Sequence, residues 1–171
     1  MENIHVLLSG GDLRSIGNSG QLINLIKNQE DFDHLIKYLN HPDRLISMRA
    51  ADAIEKITLH HTDYIQKHKK LILKLTGQPL EKEIKWHLAL LVPRLNLSKK
   101  ELESQWKIFN TWAADKSESK IVRVNALQAL YELANKYPAL QKALNDIVKK
   151  IGSDNTPSLN ARLRKLKLIY H

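Results

Sequence analysis

The chain contains no cysteine. Disulfides, thiolate metal sites and a cysteine nucleophile are thereby excluded. Glycine is scarce, and four of the six glycines, Gly10, Gly11, Gly17 and Gly20, stand near the start. No apolar run approaches the roughly twenty residues that a membrane helix needs, so no membrane insertion is expected. The N-terminus offers only Ile4 and Val6 to Leu8 as an apolar stretch, with no basic lead and no cleavage pattern. A signal peptide is therefore not expected, and the protein reads as cytoplasmic. Strictly alternating runs of Val, Ile and Thr are also missing, which argues against a sheet. Hydrophobic residues make up 43% of the chain and charged residues 26%. These are ordinary globular values that speak against wholesale disorder, and 171 residues suit one domain.

Charge is present but unevenly placed. The chain has 27 Lys and Arg against 18 Asp and Glu, a net of +9. Residues 1–85 hold 12 basic and 11 acidic side chains, whereas residues 86–171 hold 15 and 7. A basic half attracts nucleic acid or acidic partners; scattered surface Lys also serves solubility alone.

From Ser19 onward the apolar pattern is helical, with Pro and Gly between the periodic segments. Four segments share one pattern. With Ser47, Lys85, Arg123 and Asn160 as one column, the steps are 38, 38 and 37 residues. Apolar or small residues recur at offsets −1, +3, +6, +7 and +10, one arc of a helix at 100° per residue. The single break is Lys167 at +7 of the last copy, expected as a polar substitution on a terminal repeat with no neighbour to cover. Each of these B helices follows an apolar A helix, predicted over Phe32–Leu39, Tyr64–Leu75, Leu102–Ala114 and Leu140–Ile151. A lone helical hairpin cannot bury its faces, but stacked hairpins form a continuous core. The fold class is therefore all-α: a right-handed α-solenoid of about four hairpins over residues 19–171. Ser19–Asn28 forms an N-terminal capping helix, and residues 1–18 form a leader, read as a loop or a short helix folded onto that cap.

The third copy, Val122-Arg123 with Ala126, Ala129 and Leu130, resembles the B helix of the HEAT repeat in its bacterial, phycobilin-lyase-like form. The resemblance covers about 28–171. The first copy departs from it with Ser47 in the Arg column, and the second with Leu88 and Leu91 for both Ala and with Pro93, departures expected to loosen local packing without undoing the fold. The chain also looks like small bacterial HEAT-like proteins that share Gly10–Gly17, Met48–Lys56, Trp86-His87, Pro93-Arg94 and Ile121–Arg123. The resemblance implies no cofactor.

In such solenoids the B helices line a concave groove, which usually binds the partner. Offsets +1, +5 and +8 should face it: Met48, Asp52 and Glu55, then Trp86, Leu90 and Pro93, then Val124, Gln128 and Tyr131, then Ala161, Lys165 and Leu168. The flanking +2 column is Arg49, His87, Asn125 and Arg162. The groove is expected to be acidic and polar at its start, aromatic and apolar in the middle, and basic at its end. Trp86 suits a peptide or base anchor and equally a packed wall. Arg49, Asp52 and Glu55 suit partner contact and equally local ion pairs.

His60, His61, Asp63 and His68 cluster without metal-ligand spacing, so no metal is expected. The Gly-rich start lacks the phosphate-loop and dinucleotide fingerprints. It reads as a flexible leader, or as a loop that closes one end of the groove with Asp12 and Arg14. No catalytic constellation stands out. The favoured function is non-enzymatic: a scaffold that binds a protein partner through Arg49, Asp52, Glu55, Trp86, His87, Leu90, Arg94, Asn125, Gln128 and Arg162. The alternative is nucleic-acid binding. Some HEAT-like proteins are alkylpurine DNA glycosylases, and that resemblance would bring Asp52, Trp86 and Arg94 or Arg123 together around a cationic base.

Overall fold

A computed structural model of the chain describes residues 4–10 and 19–168. Among these residues there are helices and turns and no strand. The helices are α1 (Ile4–Leu8), α2 (Ser19–Leu25), α3 (Gln29–Leu35), α4 (Arg44–Ile57), α5 (Thr62–Gln66), α6 (Lys69–Thr76), α7 (Lys82–Leu91), α8 (Lys99–Ala114), α9 (Lys120–Lys136), α10 (Gln141–Gly152) and α11 (Pro157–Lys165). Short 3₁₀ turns extend α3 over Ile36–Asn40 and α7 over Val92–Arg94, and Pro138–Leu140 leads into α10.

Helix starts follow local chemistry. Asp43 caps α4 by accepting from the amides of Leu45 and Ile46. Ser98 and Glu101 form a reciprocal capping box at α8, and Ser119 caps α9. Lys69 Nζ, 2.9 Å from Glu101, adds to that box, and the Ser98 amide together with Lys69 draws the Glu101 carboxyl down to about 2.

The helices carrying the repeated pattern pack in series: α2 on α4, α4 on α7, α7 on α9 and α9 on α11. The preceding helices pack beside them. The 3₁₀ turn after α3 lies on α4, α6 touches α7 and α8, α8 touches α9, and α10 meets α8, α9 and α11. In the first three copies every residue at −1, +3, +6, +7 and +10 is buried, from Ile46, Ala50, Ala53, Ile54 and Ile57 to Val122, Ala126, Ala129, Leu130 and Leu133. Burial of such an arc from water is the main favourable term available to an all-helical chain of this composition.

Three details depart from the sequence expectation. The predicted helix Tyr64–Leu75 is divided into α5 and α6. The break falls at Lys67 and His68, both of which turn to Asp33, with His68 Nε2 at 2.6 Å from its carboxylate. The 3₁₀ turn at Pro93 does not loosen its surroundings: Pro93 is buried, and Lys136 Nζ donates to the carbonyls of Leu95 (2.7 Å) and Pro93 (3.4 Å) that the turn leaves free. Lys167 is not a polar residue on a continuing helix. It adopts φ 56°, and the Leu168 amide donates to Leu163 while the Lys167 amide donates to Arg164, which closes α11 in a Schellman motif. The last copy therefore stops before its +7 and +8 positions.

Arg123 ties three helices. It is 3% exposed; its Nε donates to the Ala113 carbonyl at the end of α8, and Nη2 lies 2.6 Å from Asp154 beyond α10. Its removal leaves the half-buried Asp154 to Lys116 alone, takes a donor from the buried Ala113 carbonyl and empties the space of a buried side chain. Arg123→Met is expected to cost about 3 kcal/mol in urea unfolding, with Lys116 left as the only cation on Asp154. A loss under about 1 kcal/mol would show that this tie contributes little.

Candidate functional site

On a straight helix, offsets +1, +5 and +8 lie opposite the buried arc. Met48, Asp52 and Glu55 on α4, Trp86 and Leu90 on α7, and Val124, Gln128 and Tyr131 on α9 are all half-buried. Of these, Trp86, Val124 and Tyr131 pack against the core. Pro93 is buried, Ala161 and Lys165 are exposed, and Leu168 is half-buried beyond the end of α11.

The +2 column behaves differently. Arg49, His87 and Asn125 are buried, at 2%, 5% and 8% exposure, and only Arg162 is half-buried. Packing in series explains this, because α4, α7 and α9 each have a neighbour on both sides and their +2 residues fall into the seams, whereas α11 has α9 on one side only. Arg49 donates through Nη1 to the carbonyls of Leu8 (2.9 Å) and Ser9 (3.0 Å), so it holds α1 and is not available to a partner. The seam buries Asn125 in the same way. Asp12 and Arg14 lie outside the described residues.

Side chains from neighbouring helices meet at two places. At the first, Arg94 donates to the Glu55 carbonyl (2.5 Å), the Thr58 hydroxyl (2.6 Å) and the Glu55 carboxylate (3.2 Å). Asp52 pairs with Lys56 one turn later at 2.6 Å. The expected acidic start of the groove is therefore corrected: Lys56 and Arg94 neutralise Asp52 and Glu55. His87 lies beneath, with Nδ1 3.8 Å from Glu55 and without a hydrogen-bond partner, and its ring meets Trp86 edge-on at 5.4 Å. Burial pushes the imidazole down to about 4, against the pull of Asp52. At the second place, Arg162 Nη1 donates to Gln128 Oε1 at 2.6 Å, and Gln128 Nε2 donates to Glu132 at 2.8 Å. Among the described residues no hydrogen bond or ion pair joins these two clusters.

Glu132 and Lys56 also belong to these clusters and were not expected there, although the i,i+4 spacings Asp52–Lys56 and Gln128–Glu132 point to both. Arg123 faces α8 and Asp154 and lies outside the cluster of Asp52, Trp86 and Arg94. Of the histidine cluster, His68 is bound to Asp33, and His61 stacks on Tyr64 at 4.8 Å. Lys67, Gln29 and His68 together hold the Asp33 carboxyl well below the usual range. Among the described residues no group of three or more His, Asp or Glu side chains is placed to hold a metal ion.

A buried, neutral histidine links stability to pH. In the unfolded chain His87 takes a proton near 6.5 and in the folded chain near 4. Its contribution is thus present above pH 6.5 and is lost as pH falls through 4. Urea unfolding is expected to show about 2 kcal/mol less stability at pH 5 than at pH 7, most of it absent in His87→Gln. An equal loss in that variant would assign the pH dependence elsewhere.

No family model matches the chain, and no curated protein or solved structure matches it.

Proposed function

We propose that the protein is a non-enzymatic, HEAT-like scaffold. In this reading the chain is a right-handed α-solenoid of about four helical hairpins with α2 as its cap, and the faces of α4, α7, α9 and α11 hold a segment of a protein partner. The observation that carries the proposal is the run of half-buried residues at one set of offsets on successive helices, namely Met48, Trp86, Leu90, Val124 and Tyr131. Their backing is rigid, since every residue beneath them on α7 and α9 belongs to the core. Side chains set in this way need little further ordering when a partner covers them.

Binding would proceed by burial of the partner's apolar side chains against Trp86 and Leu90. Covering a half-exposed side chain of this size contributes about 1 kcal/mol. Asp52, Glu55, Arg94 and Gln128 would orient the segment by hydrogen bonds at the rim, where their own pairings remain partly solvated. The stretch is apolar in its middle, and that fits a peptide better than a phosphate backbone, which needs cations along its whole length.

The test is photo-crosslinking in the cells from which the chain comes. A benzophenone side chain at Leu90 or Gln128 is expected to join the same specific protein. The same group at Lys107, exposed on α8, is expected to join none. Equal labelling from all three positions, or labelling from Lys107 alone, would contradict the assignment of the face.

A further inference from the structure

Four of the arginines in the described residues are fully engaged. Arg44 reaches both Glu83 oxygens through Nη2 at 3.0 Å and Glu81 through Nη1 at 3.4 Å, Arg94 meets Glu55, Arg123 meets Asp154, and Arg49 holds the carbonyls of Leu8 and Ser9. Arg164 is exposed and can be solvated. Arg162 differs from all of them. It is half-buried on the binding face, and its one partner is a neutral amide, Gln128 Oε1. A guanidinium carries five N–H donors in a plane, and the bond from Nη1 leaves the edge formed by Nε and Nη2 unclaimed. That edge is the fork that a carboxylate fits with two parallel hydrogen bonds.

The surroundings hold the fork in place and leave its charge uncompensated. Gln128 can point its oxygen only toward Arg162, because its NH₂ is taken by Glu132 at 2.8 Å. A flipped amide would set NH₂ against the guanidinium and oxygen against the carboxylate. Residues 155–168 include Arg162, Arg164, Lys165 and Lys167 and no acidic residue. The nearest carboxylate of the preceding segment, Asp154, is already committed to Arg123 and Lys116. At the other end of the face Asp52 and Glu55 are neutralised by Lys56 and Arg94. The face therefore holds, at α11, a guanidinium with no ion-pair partner of its own, separated from the Glu132 carboxylate by the Gln128 amide.

We infer that Arg162, set by Gln128 and Glu132, receives a carboxylate of the bound segment, so that the partner is a peptide with an Asp or Glu beside its apolar anchors. The inference rests on the binding face proposed above and adds the partner's chemistry and direction: the apolar residues lie over Trp86 and Leu90, and the acid lies toward α11. A carboxylate is favoured over a nucleic-acid phosphate because Glu132 stands beside Arg162, and the cations in the middle of the face, Lys56 and Arg94, are already paired with Asp52 and Glu55 and leave a continuous polyanion little to follow.

A phage-displayed library of random dodecapeptides, panned on the full chain, tests the inference. Enriched peptides are expected to carry an acidic residue near a pair of apolar ones. For such a peptide, Arg162→Gln should weaken binding about tenfold or more. Arg164→Gln removes the same charge from an exposed site and should change affinity less than about threefold. Changing the peptide's acid to its amide should cost as much as Arg162→Gln, and that variant should bind the amide peptide no worse than wild type does. Arg162→Lys, which keeps the charge but not the fork, should lose most of the affinity, and it serves as the test if the Gln variant does not fold. Enrichment of apolar peptides without an acid, or an acid preference that survives Arg162→Gln, would overturn the inference and leave the binding face standing. If no peptide is enriched, both fall. Displacement of the peptide by an equal concentration of single-stranded DNA would assign Arg162 to phosphate and overturn the inference.

Discussion

The patterned helices α4, α7 and α9 are each buried on three sides, and the remaining features of the molecule depend on this. Offsets −1, +3, +6, +7 and +10 must all be small or apolar, because a helix with a neighbour before it, a neighbour after it and a partner behind it has few positions left for water. Ala50, Ala53, Ala126 and Ala129 are fully buried and let the backbones approach, whereas Leu88 and Leu91 fill the same positions on α7 and are equally buried. The sole remaining strip, at +1, +5 and +8, becomes the surface available for function. Its chemistry is decided by what the seams between helices do with the charged residues beside it.

Much of the fold was legible along the chain because the repeat places equivalent residues at one spacing. The helices, their order and the buried positions follow from offsets and from the caps at Asp43, Ser98 and Ser119. What the chain did not disclose involves partners remote in sequence. The division of α5 from α6 has no Pro or Gly behind it; it falls where Lys67 and His68 reach Asp33, a residue remote in sequence. Lys167 reads as a surface substitution until its left-handed backbone and the bonds around it show that it ends a helix.

The strip proposed to bind a partner was legible in outline and differs from its sequence reading in two respects. The +1, +5 and +8 residues of α4, α7 and α9 are half-buried apart from Pro93, as a face opposite the core should be. The +2 residues Arg49, His87 and Asn125 look equally suited in a helical projection, but a projection of one helix contains no neighbour, and the neighbour buries them. Charge was misread for the same reason. Asp52 and Glu55 look like an acidic entrance in sequence, and Lys56 and Arg94, the latter from the next repeat, cancel them. No relative supplies a function for the chain, so its functional reading stands on these side chains alone.

The serial arrangement of the patterned helices is the central claim, and the absence of cysteine makes it directly measurable. Cysteines at the +5 positions, introduced pairwise as Asp52→Cys, Leu90→Cys, Gln128→Cys and Lys165→Cys, accept spin labels without competing sites. Pulsed dipolar spectroscopy should then give distances that rise with every helix passed, by roughly 10 Å per step. A distance from position 52 to position 165 no longer than that from 52 to 90 would contradict the account.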